Sequence, residues 1–454
     1  MFFTILYLTV SALLSVGITG RIALLADSGL FSLMVLYLIN HWHQLRLGRC
    51  PEKPEGSVDI FLPVVDEPVN LFKKTVQAAM NVDYDRKSIF ILDDGNRNDI
   101  KNLAFEFDVN YLYRTKNTDY KAGNLNQGLC HSDGEYVLVL DADQVADPGI
   151  IRSCLGYFKW GQDVAVVSTR QNFSVPSHDF NRDDIFYENM QPGKNADNAA
   201  ISCGSAVFYR RKALEDIGGF QTWNLVEDLY TTYVLHSHGY RSIYITTSFS
   251  KGLAPSDLPS IVKQRGMWAT DTLRIFVKKN PVRQRGLTFR QKLHYLEMGW
   301  IYILSAVALP VLFTLYPLSL IFELRIEPTK PIVFLLRFLS LLLIFQFFTR
   351  QSRGNYSVSQ LWISLFHVYL RAFIVAVLPG RPRYLVTQKS PRSGRAIKMV
   401  IPHLILILFH FVSLTIYLVK KDFQFDLKTS STLLWTGTMI FWFLPILKKG
   451  FLKQ

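Results

Sequence analysis

The sequence predicts an α/β domain with a mostly parallel sheet, inserted between α-helical membrane segments, two before it and four after. Three observations carry this prediction. Hydrophobic residues make up 49% of the 454, aromatics 14% and charged residues 19%, too apolar for a wholly soluble chain and too polar for a wholly membrane one. The most apolar stretches lie at the two ends. Between them, residues 57–275 alternate short runs of Val, Ile and Leu with polar, helix-like stretches, the pattern of strands buried on both faces.

The elements follow in chain order. Residues 1–20 are almost wholly apolar and residues 22–42 nearly so, each about long enough to cross a bilayer. The first stretch lacks a basic n-region and a small-residue cleavage site, and a second span follows at once. Residues 1–45 therefore read as an uncleaved helical pair and not as a signal peptide. Asp27 falls in the second span and is expected near its outer end, in water. Strands are predicted over 58–63, 88–92, 136–140, 164–168 and 242–245, because continuous branched apolar runs suit buried strands. Residues 276–294 form a basic interfacial segment, with Lys278, Lys279, Arg283, Arg285, Arg290 and Lys292. Two spans are expected within 295–349 and two within 399–450. The intervening 355–398 reads as a helix lying in the interface over 356–378, then a mobile loop rich in Pro, Gly, Ser and Arg.

The formal charge is +14. No basic helix with interleaved aromatics supports a nucleic-acid partner. Lys and Arg instead crowd the ends of apolar stretches: 46–53, 278–292, 350–353, 381–398 and 448–453 share one side with the α/β domain. The positive-inside rule puts that side in the cytoplasm. Three lysines near 420–428 run against the bias. Cys50, Cys130, Cys154 and Cys203 have no Cys-x-x-Cys spacing, which points to neither disulfides nor zinc and suits a reducing compartment.

Four short signatures carry the chemistry. Asp93-Asp94-Gly95 and Asp141-Ala142-Asp143 follow two predicted strands, at the edge where open α/β sheets bind ligands. Carboxylates two apart at a strand end can reach one hard divalent cation, completed by phosphates and water. Alone, each is equally a solvated turn. Lys121, between them, offers a cation for a diphosphate. Glu227-Asp228 follows a Gly218-Gly219-Phe220 turn, and a carboxylate beside an apolar wall can serve as general base; the plain alternative is an acidic helix N-terminus. In Gln264-Arg265-Gly266-Met267-Trp268 the indole can stack on a sugar ring or belong to an interfacial aromatic belt.

In this order, with Ser202-Cys203-Gly204-Ser205, Arg210-Arg211-Lys212-Ala213-Leu214 and Tyr384-Leu385-Val386-Thr387-Gln388-Lys389, the motifs resemble the processive family 2 glycosyltransferases. Cellulose synthase is nearest in pattern, over about residues 58–400, while the membrane layout is more similar to the hyaluronan-synthase type. The resemblance implies a GT-A-like domain that extends a polysaccharide from a UDP-sugar. Asp93 and Asp94 would hold the uridine end, Lys121 the phosphates, and Asp141 and Asp143 a magnesium or manganese ion. Arg265, Thr387 and Lys389 would join the nucleotide-sugar contacts, the last two from a gating loop. Asp228 would be the base. Cys203, Gly204, Ser205, Glu227, Gln264 and Trp268 would border the acceptor.

UDP-glucose and a β-glucan such as cellulose are the favoured substrate and product. The alternatives are a non-processive transferase acting on a lipid carrier and a hyaluronan- or chitin-like synthase. Expected partners are the bilayer, the growing polymer, and accessory export proteins or a second copy, in a bacterial inner membrane. Three departures stand out: Met267 where the family has arginine, Val226 where it has threonine, and Tyr384 where it has phenylalanine. No cyclic-di-GMP-binding domain follows Gln454, so regulation of that kind is not expected within this chain.

Overall fold

The computed structural model describes residues 17–175, 179–255, 257–324, 331–380 and 395–452, with isolated positions before residue 17. The first predicted span, residues 1–20, lies almost wholly outside them. So does most of the predicted gating loop, including Tyr384, Thr387 and Lys389.

Each of the five predicted apolar runs forms a strand: β1 (Val58–Val64), β2 (Lys87–Asp93), β4 (Tyr136–Val139), β6 (Val164–Thr169) and β8 (Arg241–Ile245). The sequence did not point to β3 (Asn110–Tyr113), β5 (Val145–Ala146), β7 (Val207–Arg210) or β9 (Ser250–Lys251), each too short to show a period. The main sheet runs β3-β2-β1-β4-β7-β6-β8, with β5 and β9 paired separately. It is parallel except at β7, which is antiparallel to both β4 and β6. Every residue of β1 and β6 is buried, as expected of strands covered on both faces. Ile60 and Leu62 pack with Phe72 and Val76 on one face, and Phe61 packs with Leu125 and Leu214 on the other, the period-two alternation of a strand. The register pairs Val64 with Asp93 and Phe61 with Val139. The acidic signatures after β2 and β4 therefore emerge at one edge.

Among the described residues five helices are long and apolar enough to cross a membrane: Thr19–His41, Phe289–Ile321, Pro331–Gln351, Ile397–Lys420 and Leu427–Phe451. The predicted interface segment forms two helices, Tyr356–Ser364 and Phe366–Val377, bent by 50°. They are not merely laid against the bundle: Leu361, Phe366, Tyr369 and Ala372 are buried in its apolar core. Helix Phe289–Ile321 begins within the predicted basic segment because Thr288 and Gln291 form a reciprocal capping box there, which satisfies two otherwise orphaned N–H groups.

Asp27 departs from expectation. It is buried, and Arg337 Nε donates to its Oδ2 at 2.8 Å while Arg337 Nη1 donates to the Tyr316 hydroxyl at 2.9 Å. A charge inside an apolar bundle persists only when paired, and the sequence did not reveal which helix would carry the partner.

Candidate active site

The site grows from the carboxyl ends of β1, β2 and β4. Asp93 is fully buried. Its Oδ1 accepts from the Gly95 N–H at 2.8 Å, and its Oδ2 accepts from the Arg97 N–H at 2.6 Å and the Tyr111 hydroxyl at 2.8 Å. It shapes the loop. Asp94 is also buried; Arg114 Nε donates to its Oδ1 at 2.6 Å, and its Oδ2 has no partner among the described residues. Burial raises the Asp94 pKa against the pull of Arg114. An unsatisfied buried carboxylate oxygen is costly, and a ligand N–H would relieve it. Glu67, in the loop after β1, accepts from the Val65 N–H at 2.9 Å, and burial raises its pKa. Neither Glu67 nor Arg114 was foreseen. A Cβ at Gly95 would lie 2.4 Å from the Val65 carbonyl oxygen, so only glycine permits the two loops to approach this closely.

Lys121 sits in the first turn of helix Tyr120–Cys130 and links Asp141 to Glu227. Its Nζ lies 2.7 Å from Asp141 and 3.1 Å from Glu227, and donates to the Gly204 carbonyl at 2.8 Å. Burial works against its charge, but Asp141 and Glu227 outweigh it and hold the pKa well above the usual lysine value. Ser205 Oγ accepts from the Asp141 N–H at 2.9 Å, which fixes that strand end. Gly204 has φ +78, and a Cβ there would lie 2.9 Å from Asp228 Oδ2. Asp228 and Glu227 open helix Glu227–Ser237. Burial, reinforced by Glu227 and opposed by Lys121, pushes the Asp228 pKa up to about 8. Val226 lines the cavity described below, and its N–H donates to the buried Asp271 carboxylate, a backbone anchor that threonine or valine can equally provide.

Asp141 and Asp143 present oxygen donors at a strand end, which suit a hard divalent cation. Asp141 is reachable, with its side chain 37% exposed. Asp143 is buried and accepts from the Leu253 N–H at 3.2 Å. Among the described residues a second group with ligand chemistry, His41, His294 and Glu297, is buried where the membrane helices meet the α/β domain. The Glu297 carboxylate is already held by His41 Nε2 at 2.9 Å and Asn40 Nδ2 at 2.7 Å, so the group acts as a hydrogen-bonded junction.

A cavity of about 340 Å³ leads from Asp228 and Cys203 past Trp268 and Tyr302 to Trp435 and Trp442 among the membrane helices. Gln191 Nε2 donates to Cys203 Sγ at 3.5 Å, and burial raises the thiol's pKa. Gln264 is half-buried and does not line the cavity, nor does Met267. Arg265, expected among the nucleotide-sugar contacts, is paired within the fold: both its terminal nitrogens engage Asp183, and its guanidinium carbon lies 4.8 Å from the Trp268 ring centre. The local sequence Asn181-Arg182-Asp183-Asp184 resembles a polar loop, so nothing in it marked Asp183.

The comparisons with known proteins agree with this geometry. Residues 59–218 match the glycosyl transferase family 2 model and residues 198–362 the cellulose synthase model. The chain therefore carries a family 2 glycosyltransferase domain of the cellulose synthase-like kind. It is 32% identical over 327 residues to the cellulose synthase 1 catalytic subunit (UDP-forming) of Komagataeibacter xylinus, covering 67% of this chain and 43% of that one. It is 34% identical over 253 residues to the cellulose synthase catalytic subunit of Xanthomonas axonopodis pv. citri, covering 53% of this chain and 35% of that one. The chain thus spans less than half the length of these curated relatives. A solved structure, the mannosyltransferase PcManGT from Pyrobaculum calidifontis in complex with GDP-Man and Mn2+, superposes with a TM-score of 0.60 at 16% identity, covering 78% of this chain and 99% of that one. That likeness establishes the GT-A-like fold.

Proposed function

We propose that this protein is a multi-pass, membrane-embedded inverting glycosyltransferase. It polymerises a sugar from a UDP-sugar, UDP-glucose into a β-glucan such as cellulose, and passes the polymer through its own helices. The observation that carries this reading is the cavity that joins Asp228 to the membrane bundle. A transferase that adds one sugar to a lipid carrier needs no aromatic-lined path leading away from its base.

Asp228 takes the proton of the acceptor hydroxyl. The acceptor oxygen forms a bond to C1 as the C1–phosphate oxygen bond breaks, and UDP departs with that electron pair. Asp141 and Asp143 would hold Mg2+ or Mn2+, which supplies charge neutralisation for the diphosphate. Lys121 binds the phosphates, and Asp94 Oδ2 accepts from the base or ribose. Trp268 stacks on the acceptor's terminal sugar. Thr387 and Lys389 are proposed to close over the nucleotide. The basic segments support a domain on the cytoplasmic face, and the proposed setting is a bacterial inner membrane.

The test supplies membranes holding the protein with radiolabelled UDP-sugars and Mg2+ or Mn2+, then digests the product with linkage-specific glycanases. High-molecular-mass label from UDP-glucose, lost on chelation and degraded by a β-1,4-glucanase, is expected. Label confined to a small glycolipid would overturn processivity, and polymer from another donor would reassign the sugar.

A further inference from the structure

We infer that Asp183 is a positioning residue that, through Arg265, fixes both walls of the acceptor entrance. The inference rests on the cavity being the acceptor's path, as proposed above.

The pair is bidentate: Arg265 Nη1 donates to Asp183 Oδ1 at 2.9 Å, and Nη2 lies 2.7 Å from Oδ2. Both side chains are largely buried, 6% and 14% exposed. The same guanidinium packs on Trp268. A planar, charged fork can meet a carboxylate edge-on and an indole face-on together; a lysine ammonium cannot. One partner thus sets the tilt of the ring that faces the cavity.

Asp183 also governs the opposite wall. Its backbone is left-handed, φ 48, and its carbonyl accepts from the N–H groups of Phe186 and Tyr187 at 2.9 and 3.1 Å. These bonds start the π-helix Ile185–Met190, a form often found at functional sites. The Tyr187 hydroxyl donates to Gln171 Oε1 at 3.2 Å, and Gln171 Nε2 donates to the Cys203 carbonyl at 2.5 Å. Asp183, Arg265, Trp268, Tyr187, Gln171 and Cys203 all line the cavity that Asp228 lines. A single ion pair therefore couples the stacking ring, the π-helical wall and the segment before Gly204.

The experiment uses the full-length protein in membranes, with Asp183→Asn, Arg265→Lys and the double variant. Three quantities are read: affinity for UDP with Mn2+, KM for a cello-oligosaccharide acceptor, and product length. UDP affinity should stay within about twofold of wild type, while acceptor KM rises about fivefold or more and the product shortens. The double variant should be no worse than the worse single one, because both break one contact. Weakened UDP binding with unchanged product length would make Arg265 a donor ligand and overturn the inference; so would an equal fall in all three, the mark of general destabilisation. A wild type that makes no polymer would sink the synthase reading instead. Oligosaccharide binding to the cavity would then still judge the pair.

Discussion

Asp228 is a carboxyl group in a setting that favours its neutral form, yet its proposed task requires the charged one. Burial and Glu227 push its pKa up to about 8. The shift is upward, so below pH 8 a growing share of the protein carries a protonated Asp228 that cannot accept the acceptor's proton. kcat/KM should therefore rise about tenfold per pH unit toward pH 8 and level off above it, as initial rates of UDP release would register. A flat profile from pH 6 to 9 would show that the base lies elsewhere. Asp228→Asn should cut transfer by about 10²–10⁴ while sparing UDP binding with Mn2+. Gly204 guards the same carboxylate. Gly204→Ala would place a methyl group 2.9 Å from Asp228 Oδ2 at φ +78, so transfer should fall and stability drop by about 1–3 kcal/mol. Full activity with an unchanged melting temperature would contradict this close approach.

The elements differ in how much of them the sequence disclosed. All five Val/Ile/Leu-rich runs are strands, because buried parallel strands need such runs at any position in the sheet. The aspartates at the ends of β2 and β4 were legible for the same reason: topology brings strand ends to one edge. What stayed hidden depends on partners distant in the chain. That Asp93 also anchors its loop was not legible, since three donors converge on it only after folding. Asp27 looked wet, and its partner Arg337 stands 310 residues away. That pair predicts its own energetics. Asp27→Leu removes the carboxylate partner of the buried Arg337 guanidinium and should cost about 3–5 kcal/mol, whereas adding Arg337→Leu should recover most of the loss. Thermal unfolding in detergent would measure both; a double variant less stable than the single would mean that the pair contributes more than an apolar contact.

For the whole molecule, the question is whether synthesis and passage through the bundle are one process. The cavity touches Asp228 at one end and Trp435 and Trp442 at the other, and Trp435 stacks on Tyr316, the tyrosine that Arg337 contacts. A polymer leaving by this path must pass Ser305, a small residue on helix Phe289–Ile321 whose hydroxyl accepts from Trp362 Nε1 at 2.9 Å. Ser305 lines the cavity but is not part of the carboxylate cluster around Lys121. Ser305→Trp would fill the passage and leave the carboxylates in place. If each added sugar pushes the chain onward, the variant should bind UDP with Mn2+ as wild type does, make its first few transfers, and stall on short product. UDP release would show a brief burst and then cease. Retained UDP binding separates a plugged path from a misfolded domain. Long polymer from Ser305→Trp would mean that the product leaves by another route, and the coupling of the site to the membrane helices would have to be abandoned.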